Sequence, residues 1–464
     1  MNTELYYNPS DTICAISTPP GVGGVAIARV SGSDAFAILG RIWKGKSIEK
    51  MASHTAHLGE IVDSESGTLF DQVVLTVFRA PTSFTGDDVA EISMHGSRWI
   101  QREIIALLQK NGARLALPGE FTRRAFASGR MDLAEAEAVA DLIASSSAAS
   151  HRLAMSQMRG GFSQKINDIR QQLVDLASLL ELELDFSEED VEFASRERLV
   201  NLARGASGML HRLAHSFSTG AAIKDGIPVA IVGKTNVGKS SLLNAIVGDD
   251  RAIVSDIHGT TRDIVEDTVE IGPYVIRFKD TAGIRRSDDP IENLGIDRSR
   301  KAADTARIVL CVLDATTMEM PEMSEVSAVP TILVVNKIDK VEDINELMDN
   351  PILSAADNRV VVPLSAKTGD GVEELKRLLQ NMIESMQTTE AEDEIIVTNA
   401  RHAAALDAAA DALDALVKGL EDNIPVDLVA QDLRLAIHHL STITGAISTP
   451  EILQTIFTHF CIGK

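Results

Sequence analysis

Cysteine is scarce in this 464-residue chain, which contains only Cys14, Cys311 and Cys461. Three thiols cannot pair completely, and their spacings match no zinc pattern. That excludes a disulfide scaffold and fits a reducing compartment. Cys14 lies in TICAIS and Cys311 in RIVLCVLDA, strand-like apolar runs where a thiol acts as a small core hydrophobe. Long apolar runs are missing too: none approaches the roughly 18 residues a membrane helix needs. The opening MNTELYYNPSDT has no basic stretch followed by an apolar one, so no signal peptide is expected. These absences predict a cytoplasmic protein without a membrane partner. Positive charge is also short. Lys and Arg number 44 against 67 Asp and Glu, for a net charge of −23. Residues 1–130 carry 13 of each sign, so the acidity lies beyond them. Such a chain has no general attraction for nucleic acid, and RNA must meet local basic patches or a partner protein.

What is present divides the chain into segments. A 45% hydrophobic content supports cores in two to four domains. Residues 1–125 read as mixed α/β. In DQVVLTVFRAP, Val73, Leu75 and Val77 alternate with Val74, Thr76 and Phe78, which predicts a strand. WIQREIIALLQKNG predicts an amphipathic helix stopped at Gly112. Residues 126–225 turn helical, with no proline between Pro118 and Pro228. Within them, SEEDVEFASRE reads as an exposed helix face or a turn. Residues 226–384 alternate helical stretches with PVAIVG, IVLCVLDA, TILVVNK and VVVPLSA, the near-continuous apolar runs of parallel strands covered on both faces, and YVIRFK reads as a further strand before DTAG. The acidic QTTEAEDE reads as a linker, and residues 385–464 return to helix. The spacing predicts a helical domain split in sequence, with an α/β domain inserted.

The inserted domain carries four motifs in order. GKTNVGKSS follows the strand PVAIV and fits G-x-x-x-x-G-K-[ST]. Gly233 and Gly238 allow backbone N–H groups to curl round phosphates, with Asn236, Val237, Ser240 and Ser241 completing the loop and helix start. Lys239 offsets β- and γ-phosphate charge, and Ser240 is a candidate Mg²⁺ ligand. DTAG supplies Asp280, Thr281, Ala282 and Gly283, with Asp280 near the metal shell and the Gly283 amide sensing the γ-phosphate. NKID supplies Asn336, Lys337 and Asp339. The Asp339 carboxylate can accept from guanine N1–H and N2–H₂, which adenine cannot match. SAK supplies Ser365, Ala366 and Lys367, with the Ala366 amide available to guanine O6. Four ordered motifs at strand ends define a guanine-nucleotide domain. After DTAG stands Ile284 rather than a water-orienting Gln, and no arginine finger is identifiable. GTTRD offers Thr261 as a second Mg²⁺ ligand. Asn236 has two readings, a ligand for a monovalent cation that offsets transition-state charge, or a loop-stabilising hydrogen bond.

Together these stretches resemble one family. TPPGVGGVAIARVSG, SFTGDDVAEISMHG, PGEFTRRAF, RMDLAEAEAVADLI, IVSDIHGTTRD, DTAG and the terminal FCIGK are similar to those of the MnmE (TrmE) tRNA-modification GTPases, across essentially the whole chain. The resemblance implies an N-terminal mixed α/β folate-binding-like domain that dimerises, a discontinuous helical domain and an inserted Ras-like P-loop GTPase domain. It implies a (carboxymethyl)aminomethyl group added at C5 of the tRNA wobble uridine. It further implies a homodimer, an FAD-dependent partner, MnmG, in a heterotetramer or larger complex, and 5-formyltetrahydrofolate or a related tetrahydrofolate as one-carbon source. GTP, Mg²⁺ and K⁺ follow as ligands, with K⁺ on Asn236, Ser255, Ile257 and Thr260, Ile257 through its carbonyl. Glu292 matches the catalytic glutamate, although RRSDDPIENLG alone reads as exposed charge. The folate positions are Arg29, Glu91, Arg130 and Lys464. The family can carry Lys where this chain has Arg130, which keeps the charge and changes its geometry. Arg or Lys would meet the folate's glutamate carboxylates, and a carboxylate its pterin N–H groups.

Two other classes fit the GTP motifs: a ribosome-assembly or stress-response G protein, and a nucleotide-controlled dimerisation scaffold. The first class usually has a basic RNA-binding appendage, and residues 385–464 carry 4 basic against 12 acidic side chains. Cys461 remains. C-I-G-K is a poor prenylation box with no polybasic run before it. The alternatives are a buried small hydrophobe or, beside the folate site, a thiolate nucleophile in the modification chemistry.

Overall fold

The computed structural model describes residues 8, 10–185, 196–248, 267–278, 305–320, 329–354, 360–388, 395–458, 460 and 462–463. The chain forms two compact units. One comprises Met1–Ala140, Gln157–Val174 and Ile437–Lys464, the other Asp141–Ser156 and Asp175–Ala436. Both α/β regions expected from sequence are present, with long helices between and after them.

The first unit is built on a seven-stranded sheet: β1 (Ile13–Ile16), β2 (Gly23–Ser31), β3 (Trp43–Lys44), β4 (Thr55–Val62), β5 (Leu69–Phe78), β6 (Val89–Gly96) and β7 (Arg114–Leu115). Their order is β3-β4-β5-β6-β2-β1-β7. All neighbours are antiparallel except β1 and β7. The period-two pattern of β5 is realised: Val73, Leu75 and Val77 are buried while Gln72 and Val74 are exposed. The helix Arg98–Lys110 covers the buried face with Ile104, Leu107 and Leu108, each contributing roughly 1.5–3 kcal/mol. Gly112 follows at φ +112°, the left-handed region in which a side chain is costly. Cys14 belongs to this core, and half-buried Trp43 packs against it, its ring leaving room only for glycine at Gly59.

Two further pieces complete this unit. The helix Glu120–Ala127 starts at Gly119, where φ is +65°. A Cβ on Gly119 would lie 2.7 Å from the Phe457 carbonyl oxygen. Phe457 and Phe460, at and beyond the end of the helix Pro450–Thr458, therefore pack with Phe126, Leu133 and Ala136.

The second unit holds a six-stranded sheet of β8 (Ile227–Val232), β9 (Asp267–Ile271), β10 (Tyr274–Phe278), β11 (Ile308–Asp314), β12 (Thr331–Asn336) and β13 (Val360–Leu364). The order is β13-β12-β11-β8-β10-β9. Every pairing is parallel except the β9–β10 hairpin. All six residues of β8 and of β12 are buried, because the sheet is covered on both faces. Val229 and Ile231 join the cluster with Leu242 and Leu375, whereas Ala230 and Val232 join that with Leu333 and Leu347. Cys311 lies in the second cluster. The antiparallel edge strand β9 is absent from the sequence reading, since DTVEI is short, half polar and followed by a tight turn.

The helices Arg196–Asp225 and Ala400–Glu421 pack along each other in this unit. Ser207 and His211 of one reach Asp414 of the other. Gly220 is small because a Cβ there would fall 2.0 Å from the Val397 oxygen. Asn399 caps the second helix by accepting the Arg401 N–H at 2.8 Å. Of the expected linker, Gln387 and Thr388 close the helix Val372–Thr388. The rest of it, and nearly all of SEEDVEFASRE, lies outside the described residues. Among the described residues, no helix is long and apolar enough to cross a membrane.

Candidate functional site

The C-terminal ends of β8, β11, β12 and β13 assemble the nucleotide motifs. The loop after β8 is shaped by contacts only glycine allows. A Cβ on Gly233 would lie 2.5 Å from the Val312 oxygen, and one on Gly238 would lie 2.3 Å from Asn336 Nδ2. Asn236 takes φ +62°, a conformation asparagine tolerates better than most residues. Gly238 precedes the helix Lys239–Val247, whose first turn holds half-buried Ser240 and exposed Ser241. Lys239 Nζ donates to the Gly233 and Lys234 carbonyls, both at 2.8 Å. Desolvation lowers the pKa of this ammonium, a cost that an anion beside it would offset.

Asn336 links three motifs. Only 2% exposed, its Nδ2 donates to the Val237 carbonyl at 2.8 Å and its Oδ1 accepts the Ala366 N–H at 3.0 Å. The phosphate loop, NKID and SAK are thus joined through one buried amide. The Ala366 N–H, expected to be available to guanine O6, is engaged with this amide. Lys337, at φ +70°, donates to the Asn236 carbonyl at 2.5 Å and to Asp314 Oδ2 at 2.6 Å. Ser365 Oγ donates to Asp339 Oδ1 at 2.7 Å. That hydrogen bond, the leading cause, holds the exposed Asp339 carboxyl below its ordinary value, with Lys367 and Lys340 adding favourable charge. Exposed Lys367 follows Ala366. Asp314, which anchors Lys337, belongs to no motif in the sequence reading. Its one signal is its place at the end of a buried parallel strand, on the ligand-binding edge.

Several expected residues lie outside the described ones: Ser255, Ile257, Thr260, Thr261, Asp280, Thr281, Ala282, Gly283, Glu292, Cys461 and Lys464. Among the described residues, no group of three or more His, Cys, Asp or Glu side chains could hold a metal. A Mg²⁺ ion on a nucleotide does not require one, since phosphate oxygens supply part of its shell.

A second constellation lies in the first unit. Arg29 on β2 and Glu91 on β6 are directly opposite in the ladder. Arg29 Nε and Nη2 both donate to Glu91 Oε1, at 3.0 and 2.8 Å. The rings of Phe84 and Phe121 lie 5.4 and 5.5 Å from the guanidinium carbon, within cation–π range. Neither aromatic is singled out from sequence, because the loop and the helix that carry them are 37 residues apart. Exposed Arg130 approaches the same loop: its Cγ lies 3.7 Å from the position a Cβ on Gly86 would take. The chain's tail docks on the adjoining strand. Ser17 Oγ donates to the Gly463 carbonyl at 3.0 Å, and Ser17 N–H bonds the Ile27 carbonyl two residues before Arg29. A cation, a carboxylate and two ring faces suit a planar, hydrogen-bonding, anionic ligand.

Comparison with known proteins identifies the family of the chain. The family model described as "MnmE helical domain" matches residues 133–461, and that described as "GTP-binding protein TrmE N-terminus" matches residues 12–130. A tRNA modification GTPase MnmE of Parabacteroides distasonis is 49% identical over 463 residues, 98% of this chain and 100% of that one. The protein of that name from Cytophaga hutchinsonii is 46% identical and covers 100% of both chains. Among solved structures, the FeoB G-domain of Methanococcus jannaschii is 25% identical over 34% of this chain and 96% of its own, with a TM-score of 0.24. Full-length relatives at this identity, and family models covering both ends, establish membership: the chain belongs to the MnmE family of tRNA modification GTPases.

Proposed function

We propose that this chain hydrolyses GTP to GDP and phosphate as part of tRNA modification, adding a (carboxymethyl)aminomethyl group to C5 of the wobble uridine. The observation that carries the reading is the buried Asn336 bridge, which holds the phosphate loop and the base-reading loop in one frame. Lys239 would neutralise β- and γ-phosphate oxygens, and the N–H groups around Gly238 would cradle them. Asp339 would select guanine, and the Ala366 N–H would be shared between Asn336 and O6. Ser240 and Thr261 would hold Mg²⁺, with Asp280 in its outer shell; bound there, the ion offsets charge on the transferring phosphoryl group. Asn236, Ser255, Ile257 and Thr260 would hold K⁺, and Glu292 would orient the attacking water. Arg29, Glu91, Arg130 and Lys464 would hold a tetrahydrofolate, with Phe84 and Phe121 against its flat rings. Cys461, three residues before Lys464 in the sequence, would supply a thiolate to the uridine chemistry.

The working assembly in this proposal is a cytoplasmic homodimer with FAD-dependent MnmG, acting on tRNA. The proposed domains are 1–125, 126–225, 226–384 and 385–464. The deciding experiment is mass spectrometry of wobble uridine from a deletion strain complemented with wild type or Cys461→Ser. The deletion should lack the modified base and wild type should restore it; normal tRNA in the deletion would overturn the proposal. Loss with Cys461→Ser despite intact GTP turnover supports the thiol's role, and full modification removes it. In the same preparations, K⁺ in place of Na⁺ should raise turnover, and Asn236→Ala should abolish that response. Glu292→Ala should bind GTP and hydrolyse it slowly, whereas an unchanged kcat would refute its role.

A further inference from the structure

The β9–β10 hairpin is stapled at its tip to a helix outside the sheet. Its two strands pair along their full length, from Tyr274 opposite Ile271 to Phe278 opposite Asp267. β10 runs parallel to β8, which leads into the phosphate loop, so the Phe278 end faces the nucleotide edge. Asp267 lies four residues after GTTRD, and Phe278 lies two before Asp280. Both chain segments that flank the γ-phosphate in the proposed function thus join this hairpin. The tip, Gly272–Pro273, lies at the opposite end, about 17 Å away at the usual rise per residue.

At the tip the hairpin is gripped. The Ala149 N–H donates to the Pro273 carbonyl at 2.9 Å. Ala149 opens the helix Ala148–Met158, and both Ala149 and Leu153 pack into the apolar cluster of the sheet. Ser147 and Ser150 fix the start of that helix by reciprocal bonds, each backbone N–H meeting the other's Oγ at 3.1 Å. Gly272 takes φ +57°, and a Cβ there would lie 2.5 Å from Gln380 Oε1, so the tip lies close to the helix Val372–Thr388. A paired ribbon held in register behaves as a rigid bar. A shift at its nucleotide end would reach its tip, where Pro273 accepts from Ala149.

We propose that the β9–β10 hairpin is a lever that transmits the nucleotide state to the helix Ala148–Met158 through the Ala149–Pro273 hydrogen bond. The inference rests on the GTP reading above. It is tested by amide hydrogen exchange over residues 147–158 in the full chain with GDP and with a non-hydrolysable GTP analogue. Binding of each nucleotide is measured on the same samples. Exchange at Ala149 should differ between the two states by about threefold to tenfold, the protection one hydrogen bond of ordinary net strength confers. Ala149→Pro removes the donor in the first helical turn, where proline is tolerated. It should abolish the response over 150–158 while leaving nucleotide binding unchanged. Ala149→Gly keeps the N–H and should keep the response. If wild type binds both nucleotides and exchange over 147–158 is the same in each, the lever is overturned. The same holds if Ala149→Pro retains the response. If wild type binds neither nucleotide, it is the GTP reading that fails.

Discussion

Asn336 carries more than its motif declares. Both ends of its amide are used inside the protein, so it acts as a brace between loops from β8 and β13. Replacing it with Ala leaves the Val237 carbonyl and the Ala366 N–H without their buried partner, at a cost of about 2 kcal/mol. Asn336→Ala should lower GTP affinity at least tenfold in fluorescent-nucleotide titrations; unchanged affinity would show that the two loops hold themselves. Cys14 shows the opposite case, where sequence and structure agree simply. Burial pushes its thiol up to about 12, so it is no nucleophile at neutral pH.

At the scale of an element, the helix Glu120–Ala127 is held by a charge cluster. Glu120 is 1% exposed, accepts from Arg114 at 2.8 and 3.1 Å and from Arg124 at 3.2 Å, and takes the Leu117 N–H at 2.8 Å. Burial alone would raise its carboxyl. The Arg114 hydrogen bonds, with the Leu117 N–H and the two cationic charges, outweigh burial and hold it below its ordinary 4.5. A depressed folded value contributes stability that is complete above the unfolded value and lost as pH falls through the folded one. Thermal melts should therefore show wild type losing stability below pH 4.5. Glu120→Gln should be less stable at neutral pH, by about 3–5 kcal/mol, with a flatter acid limb. An equally steep acid limb in the variant would show that other carboxylates dominate acid unfolding.

The tail is the second element whose placement bears on function. Gly463 adopts φ +97°, and a Cβ there would come within 2.3 Å of the Ile16 oxygen. Backbone strain of that kind costs on the order of 1–3 kcal/mol. If the proposed folate site is correct, Gly463→Ala should undock the tail and weaken 5-formyltetrahydrofolate binding roughly tenfold by calorimetry, the equivalent of about 1.4 kcal/mol. GTP turnover should be unchanged. Full folate affinity would place Lys464 outside that site.

At the scale of the whole molecule, the charge of −23 governs encounters with RNA. A protein that neutralises few phosphates releases few counterions. The chain alone should bind tRNA weakly, and log Kobs against log salt should be shallower than about −2. A steep slope would reveal a basic face that residue counting misses.

Periodicity and local chemistry made much of this protein legible before folding. Near-continuous apolar runs identified β8 and β11–β13, alternation identified β5, and glycine spacing with strand context identified the phosphate loop. These signals are local because each reflects the repeat of one element or the shape of one turn. What brings distant residues together carries no such repeat. The Phe84 and Phe121 rings beside Arg29, the Asp314 anchor for Lys337, the Ser17–Gly463 contact and the Ala149–Pro273 bond join positions tens to hundreds of residues apart. The motifs were determined by the sequence alone. Which residues brace, orient and couple them was decided only by tertiary packing, because close packing fixes partners that no spacing rule encodes.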